Sequence, residues 1–141
     1  MPIRARLTLA LLVATAVGVA WEPASRACRF ARLSWAARVA IAGRSMEPAL
    51  EDGDWVLVDP DAFRARPAAI DDLVLAPDPR EPERLLIKRV GGVSPDGLLT
   101  VLGDASDAST DSRVFGAVHP ATVRGRPWFR YWPPRRIGPL R

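Results

Sequence analysis

The chain has 141 residues, 48 % of them hydrophobic, which is one small domain with enough apolar mass for a core and excludes a disordered polypeptide. A single cysteine, Cys28, and a single histidine, His119, exclude a disulfide framework and a Cys- or His-built metal centre, and no cofactor is expected. The net charge of +4 is segregated into +5 over residues 1–42, −8 over 43–112 and +7 over 113–141, and Lys88 is the only lysine.

Basic ends can reach anionic lipid or nucleic acid, or they can simply keep an arginine-rich protein soluble.

From the N-terminus, Leu7 to Trp21 runs without a charge. As a helix it spans roughly 22 Å at about 1.5 Å per residue, short of the ~30 Å of a bilayer's hydrocarbon core. Three readings fit: a short membrane anchor, a cleavable signal peptide ending at the small residues Gly18-Val19-Ala20, or an apolar helix docked on the domain. Trp21 suits an interfacial anchor, so residues 1–21 are taken as a hydrophobic anchor helix. Arg4 and Arg6 favour an inside N-terminus and hence a domain on the outer face. Arg26, Arg29, Arg32 and Arg38 pull the other way. Residues 22–37 then form a basic juxtamembrane linker, with Arg26, Arg29 and Arg32 at helical spacing.

Downstream, short apolar runs alternate with Pro and Gly. They predict strands over Arg38–Ala42, Asp54–Asp59, Leu73–Ala76, Leu85–Val90, Leu98–Leu102 and Trp128–Trp132. Together these make a mainly β domain over 38–134, a small barrel or β-rich sheet. Pro77 to Pro82 reads as an exposed loop, and 135–141 as a basic tail.

Three features carry possible chemistry. Ser45, in Gly43-Arg44-Ser45-Met46-Glu47-Pro48, follows a strand at a glycine-opened turn, which exposes a hydroxyl beside a backbone N–H. It also suits the cap of a short helix over Met46–Leu50. Lys88 lies in Leu85-Leu86-Ile87-Lys88-Arg89-Val90, and strand alternation puts it on one face with Leu86 and Val90. Desolvation there lowers an amine's pKa from ~10.4, something no arginine allows; a snorkelling surface lysine is the plain alternative. The polar stretch Gly103 to Gly116 is either a self-capping turn or part of a site, and it lacks the ligand spacing of a calcium loop. His119, between Val118 and Pro120, is read as structural.

Taken in order, Gly43-Arg44-Ser45-Met46-Glu47-Pro48, Gly53-Asp54-Trp55-Val56-Leu57-Val58, Lys88-Arg89-Val90, and Gly103-Asp104 through Asp111-Ser112-Arg113-Val114-Phe115-Gly116 resemble the motifs of type I signal peptidases over residues 39–132. The resemblance implies a β-rich catalytic core, Ser45 as nucleophile and Lys88 as general base. It makes Ser109 the hydroxyl that orients the lysine, and Asp111 with Arg113 the bracing ion pair. Asp104 is a supporting residue, while Gly43 and Met46 flank the oxyanion and substrate region. The substrate would be a precursor polypeptide lying as a strand beside 42–44 and 86–88, with small side chains one and three residues before the cut. Membrane lipid is the expected second partner, and nucleic acid is not expected.

The chain departs from that pattern at Gly43, where relatives carry a Ser or Thr donor to the oxyanion. It departs again at Ala105, where an Asn is usual, and at Asp71-Asp72, where Gly-Asp is usual. The short length and the ending Arg124 to Pro134 are similar to small proteases associated with nickel superoxide dismutase maturation, which gives a second reading as a dedicated maturation protease. An autoproteolytic repressor-type domain is disfavoured, because no helix-turn-helix segment precedes Ser45. The non-enzymatic rival is a basic module that binds lipid or nucleic acid through its ends.

Overall fold

The computed structural model describes residues 38–141. The expected anchor over 1–21 and linker over 22–37 lie outside the described residues. Among the described residues there are seven strands: β1 Arg38–Ala40, β2 Trp55–Asp59, β3 Leu73–Asp78, β4 Glu81–Val93, β5 Leu99–Leu102, β6 Arg126–Trp132 and β7 Gly138–Pro139. One helical turn, α1 at Ser112–Phe115, and three 3-10 turns complete the set. Among the described residues no helix is long and apolar enough to cross a membrane.

The strands form two antiparallel sheets, one ordered β1-β2-β6-β7 and the other β3-β4-β5. Alternation along β3 explains how they combine. Leu73 and Leu75 join Met46, Leu50, Val56, Val58 and Ile87 in one apolar cluster, with residues from both sheets. Val74 points the other way and joins Ala68, Val90, Leu99, Val101 and Val118 in a second cluster. Leu73 to Ala76 are therefore all buried, and a strand covered on both faces reads as an unbroken apolar run. The mainly β expectation and the six expected strands are present, with shifted ends.

The differences have local causes. Pro77 to Pro82 is exposed at 79–82, as expected, but forms a tight hairpin rather than a loop: Asp78 pairs with Glu81 across the two-residue turn Pro79-Arg80. Asp78 is buried, and its carboxylate accepts from Arg80 N at 2.9 Å and from both Nε and Nη2 of Arg80. That set of bonds holds the Asp78 carboxyl at a pKa of about 2. Pro77 is tolerated because β3 is the edge strand of its sheet. The helix for which Ser45 would have been a cap does not form; residues 45–49 are consecutive turns. The segment 135–141, expected as a tail, continues the fold. Its strand β7 pairs with β6, and Leu140 packs against the first cluster. His119 caps the 3-10 turn at Pro120–Thr122 by accepting from Ala121 N, the structural role read for it.

Leu50 is fully buried under the turn that carries Ser45. Leu50→Ala is expected to lower stability by about 2–5 kcal/mol, seen as a lower urea midpoint with an unchanged slope. An unchanged midpoint would show that the cluster does not anchor this turn.

Candidate active site

Ser45 and Lys88 come from different parts of the chain and meet through the fold. Ser45 sits on the turn between β1 and β2. Gly43 opens that turn with φ +92°, a backbone conformation costly for any other L-residue. The Gly43 N–H is tied to Asp52 Oδ1 at 2.8 Å. Lys88 lies on β4 opposite Val74 of β3, so its side chain takes the face that alternation predicts.

The two side chains touch, with Lys88 Nζ 2.8 Å from Ser45 Oγ. The amine also lies 3.1 Å from Ser109 Oγ, and Ser109 donates to Asp111 Oδ2 at 2.7 Å. Asp111 is fully buried and satisfied from four sides. It accepts from Gly103 N at 2.9 Å, from Ser109, from Arg113 N at 3.1 Å, and from the Arg113 guanidinium, whose Nε is at 2.9 Å. The Arg113 guanidinium is the main reason this carboxyl is held far below the ordinary carboxylate range. Asp111 therefore stays an anion and an acceptor, and it fixes the direction of the Ser109 hydroxyl.

Lys88 is 3 % exposed, and among the described residues it has hydroxyl hydrogen-bond partners and no carboxylate one. Its pKa is lowered, chiefly by burial, with Arg84 and Arg113 adding to the effect and Asp111 and Asp104 opposing it. Because Ser109 spends its proton on Asp111, its oxygen accepts from the amine. A neutral Lys88 is thereby left with its lone pair toward the Ser45 hydroxyl. The constellation can take a proton from Ser45 and hold it, which is what a serine nucleophile requires.

The remaining expected residues frame this pair. Asp104 does not reach it; the carboxylate makes a two-pronged pair with Arg89 at 2.9 Å on each oxygen. Arg89 is not among the expected site residues, though its place beside Lys88 is the signal that it anchors the loop to the strand that carries Lys88. Ala105 forgoes an Asn side chain, yet its backbone N–H donates to Ser45 O at 3.0 Å and links the loop to the Ser45 turn. Met46 is buried in the first cluster and pins the turn from beneath. Asp71-Asp72 lies elsewhere: Asp72 pairs with Arg66 and receives Ala69 N–H. Asp52, which takes up the Gly43 N–H, escaped the sequence reading because nothing local marks a contact nine residues away. Among the described residues nothing accepts from the Ser45 N–H, so it is free to donate to an anion in the cleft. No three His, Cys, Asp or Glu side chains among the described residues group to hold a metal ion.

A cleft of about 270 Å³ opens over the pair, lined by 39–46, by 84–88 and by Ala108 and Thr110. Its walls are strand edges. β1 is the outer strand of its sheet, and β5 pairs with β4 only from Arg89 onward, so 84–88 has one side open. Val39, Ile41, Leu86 and Ile87 supply the cleft's apolar lining, beside the polar groups of Arg44, Ser45, Arg84, Lys88 and Thr110.

The family model of the signal peptidase, peptidase S26, matches residues 6–98 and 94–132. The chain is 32 % identical over 123 residues to the mitochondrial ATP-independent inner membrane protease subunit 1a of Arabidopsis thaliana, covering 72 % of this chain and 73 % of that one. It is 30 % identical over 122 residues to the human mitochondrial inner membrane protease subunit 1, covering 73 % and 74 %. To the chloroplastic thylakoidal processing peptidase 1 of Arabidopsis thaliana it is 36 % identical over 87 residues, covering 61 % of this chain and 24 % of that one.

Gly103 has no room for a side chain: a Cβ there would lie 2.1 Å from Ser109 Oγ and 2.6 Å from Ser45 O. Gly103→Ala is expected to cut peptide cleavage by at least about 100-fold, because displacing these groups by ~1 Å is enough to do so. Cleavage and urea titration of the same preparation check it, and full activity in the folded variant would contradict the packing.

Proposed function

The chain belongs to the signal peptidase family, peptidase S26, a family of serine endopeptidases, and we propose that its cleavage runs through Ser45 as nucleophile and Lys88 as general base. The observation that carries this reading is the 2.8 Å contact between a buried amine and the Ser45 hydroxyl.

Neutral Lys88 takes the Ser45 proton as Oγ attacks the scissile carbonyl carbon, and the oxyanion that forms accepts from the Ser45 N–H. The lysinium then gives its proton to the departing amine, the C–N bond breaks, and an acyl-enzyme remains. Lys88, neutral again, takes a proton from water as that water attacks the ester. The proton passes back to Ser45 as the acid product leaves. Throughout, Ser109 keeps the amine aimed, and Asp111 with Arg113 keeps Ser109 aimed.

The substrate is read as an extended precursor segment lying between the open edges at 39–44 and 84–88, pairing through backbone hydrogen bonds. Along such a segment alternate side chains enter the cleft, which suits small residues one and three before the cut. The chain is membrane-associated, as its relatives are inner-membrane and thylakoid proteases. The finer placement, a single pass through residues 1–21 with the catalytic domain outside, rests on the uncharged run from Leu7 to Trp21 and on Arg4 and Arg6.

A base works only when neutral, so a lowered Lys88 pKa brings activity in at lower pH. For cleavage of a model preprotein, kcat/KM is expected to rise through a midpoint below the ~10.4 of a free lysine. Ser45→Ala and Lys88→Arg are each expected to lose at least about 100-fold while remaining folded. A flat profile from about pH 6 to 10, or an active Lys88→Arg, would rule out the lysine base.

A further inference from the structure

The two partners of the reacting pair are not held equally. Lys88 is built into the central strand of a three-stranded sheet. Ser45 stands on a turn outside both sheets, whose own backbone bonds are Glu47 N to Arg44 O and Leu50 N to Met46 O. The Ser45–Lys88 distance therefore depends on what fixes that turn from outside.

Two arginines from the C-terminal part of the chain converge on its far end. Arg130 of β6 donates from Nη1 to Ala49 O at 2.9 Å and to Asp54 Oδ2 at 3.1 Å. Its Nε donates to the Arg136 carbonyl, which ties the two arginines together. Arg136 donates from Nη2 to Pro48 O at 3.3 Å, lies 3.5 Å from Asp54 Oδ2, and pairs through Nη1 with Glu51. The Asp54 carboxylate at the centre is 2 % exposed and also accepts from Glu51 N at 2.9 Å. Three main-chain groups downstream of Ser45, the carbonyls of Pro48 and Ala49 and the N–H of Glu51, are thus held by Arg136, Arg130 and Asp54. All three side chains lie outside the cleft lining, so none reaches a bound peptide there.

We propose that Arg130 and Arg136, joined through Asp54, are positioning residues that keep the Ser45 hydroxyl aligned with Lys88. This rests on Ser45 being the nucleophile. The basic C-terminal segment then serves catalysis through the nucleophile turn. A guanidinium is needed because each arginine serves several acceptors at fixed angles, which a lysine ammonium on a flexible stem does not reproduce. Loosening the brace misplaces the nucleophile without touching the base or the cleft walls, so its cost falls on the chemical step.

The test compares the full-length, detergent-solubilised wild type with Arg136→Ala, Arg136→Lys and Ser45→Ala on one model preprotein. Folded fraction is measured by urea titration. Arg136→Ala is expected to lower kcat by about 10- to 100-fold, with KM within about twofold and an unchanged midpoint of the pH–rate profile. Arg136→Lys is expected to fall between the two and so gives a partial rescue. Wild-type kcat in either folded variant, a loss confined to KM, or loss of folded protein in both variants would overturn the proposal. A Ser45→Ala protein that still cleaves would instead remove the nucleophile reading, which separates the two failures.

Discussion

Burying an amine without pairing it to a carboxylate is the constraint on which this molecule turns. A charged ammonium in the place of Lys88 loses its hydration and gains two hydroxyls in return, which pushes its pKa down. Burial lowers the pKa of Lys88 more than any other influence on it. The acid nearest in the network, Asp111, is engaged by Arg113, Gly103 and Ser109 rather than by the amine. A direct contact with that carboxylate would instead have favoured the charged amine. The Ser109 hydroxyl inserted between them passes on orientation while withholding the ion pair.

The same logic runs through the charge distribution. The acidic middle of the chain and its basic C-terminal end find each other on folding. Arg113 pairs with Asp111, Arg126 approaches Asp72 at 3.7 Å, Arg130 pairs with Asp54, and Arg136 with Glu51. Four arginines of the C-terminal block are thereby paired with acids of the domain's middle. This weakens the idea that the block exists only to reach lipid or nucleic acid. Exposed pairs among these contribute little to stability. Those centred on buried Asp54 and Asp111 matter through what they orient.

What was legible in the sequence was whatever a local pattern specifies. Period-two alternation placed Lys88 on its face of β4, and apolar runs between turn residues marked six strands. The glycine before Ser45 marked a tight turn. What escaped was settled by contacts between distant segments. Nothing in Pro77 to Pro82 announces that Asp78 will fold back on Arg80 and turn a proline-rich loop into a hairpin. Nothing in Arg135 to Arg141 distinguishes a solvated tail from a strand pairing with β6. The roles of Asp52, Arg89, Arg130 and Arg136 arise from partners between nine and eighty-eight residues away. A charge pattern shows that such partners exist without saying which pairs form.

Because Lys88 is the single lysine, its charge state can be read without assignment. Protein labelled with lysine carrying ¹³C at the ε-carbon gives one side-chain signal, whose shift followed against pH reports the titration of this amine alone. The account predicts a midpoint clearly below the ~10.4 of an unperturbed lysine, displaced in Ser45→Ala only as far as loss of that one hydroxyl contact allows. A midpoint at or above the ordinary value would mean that the buried amine is a cation at working pH. It would remove Lys88 from the role of base.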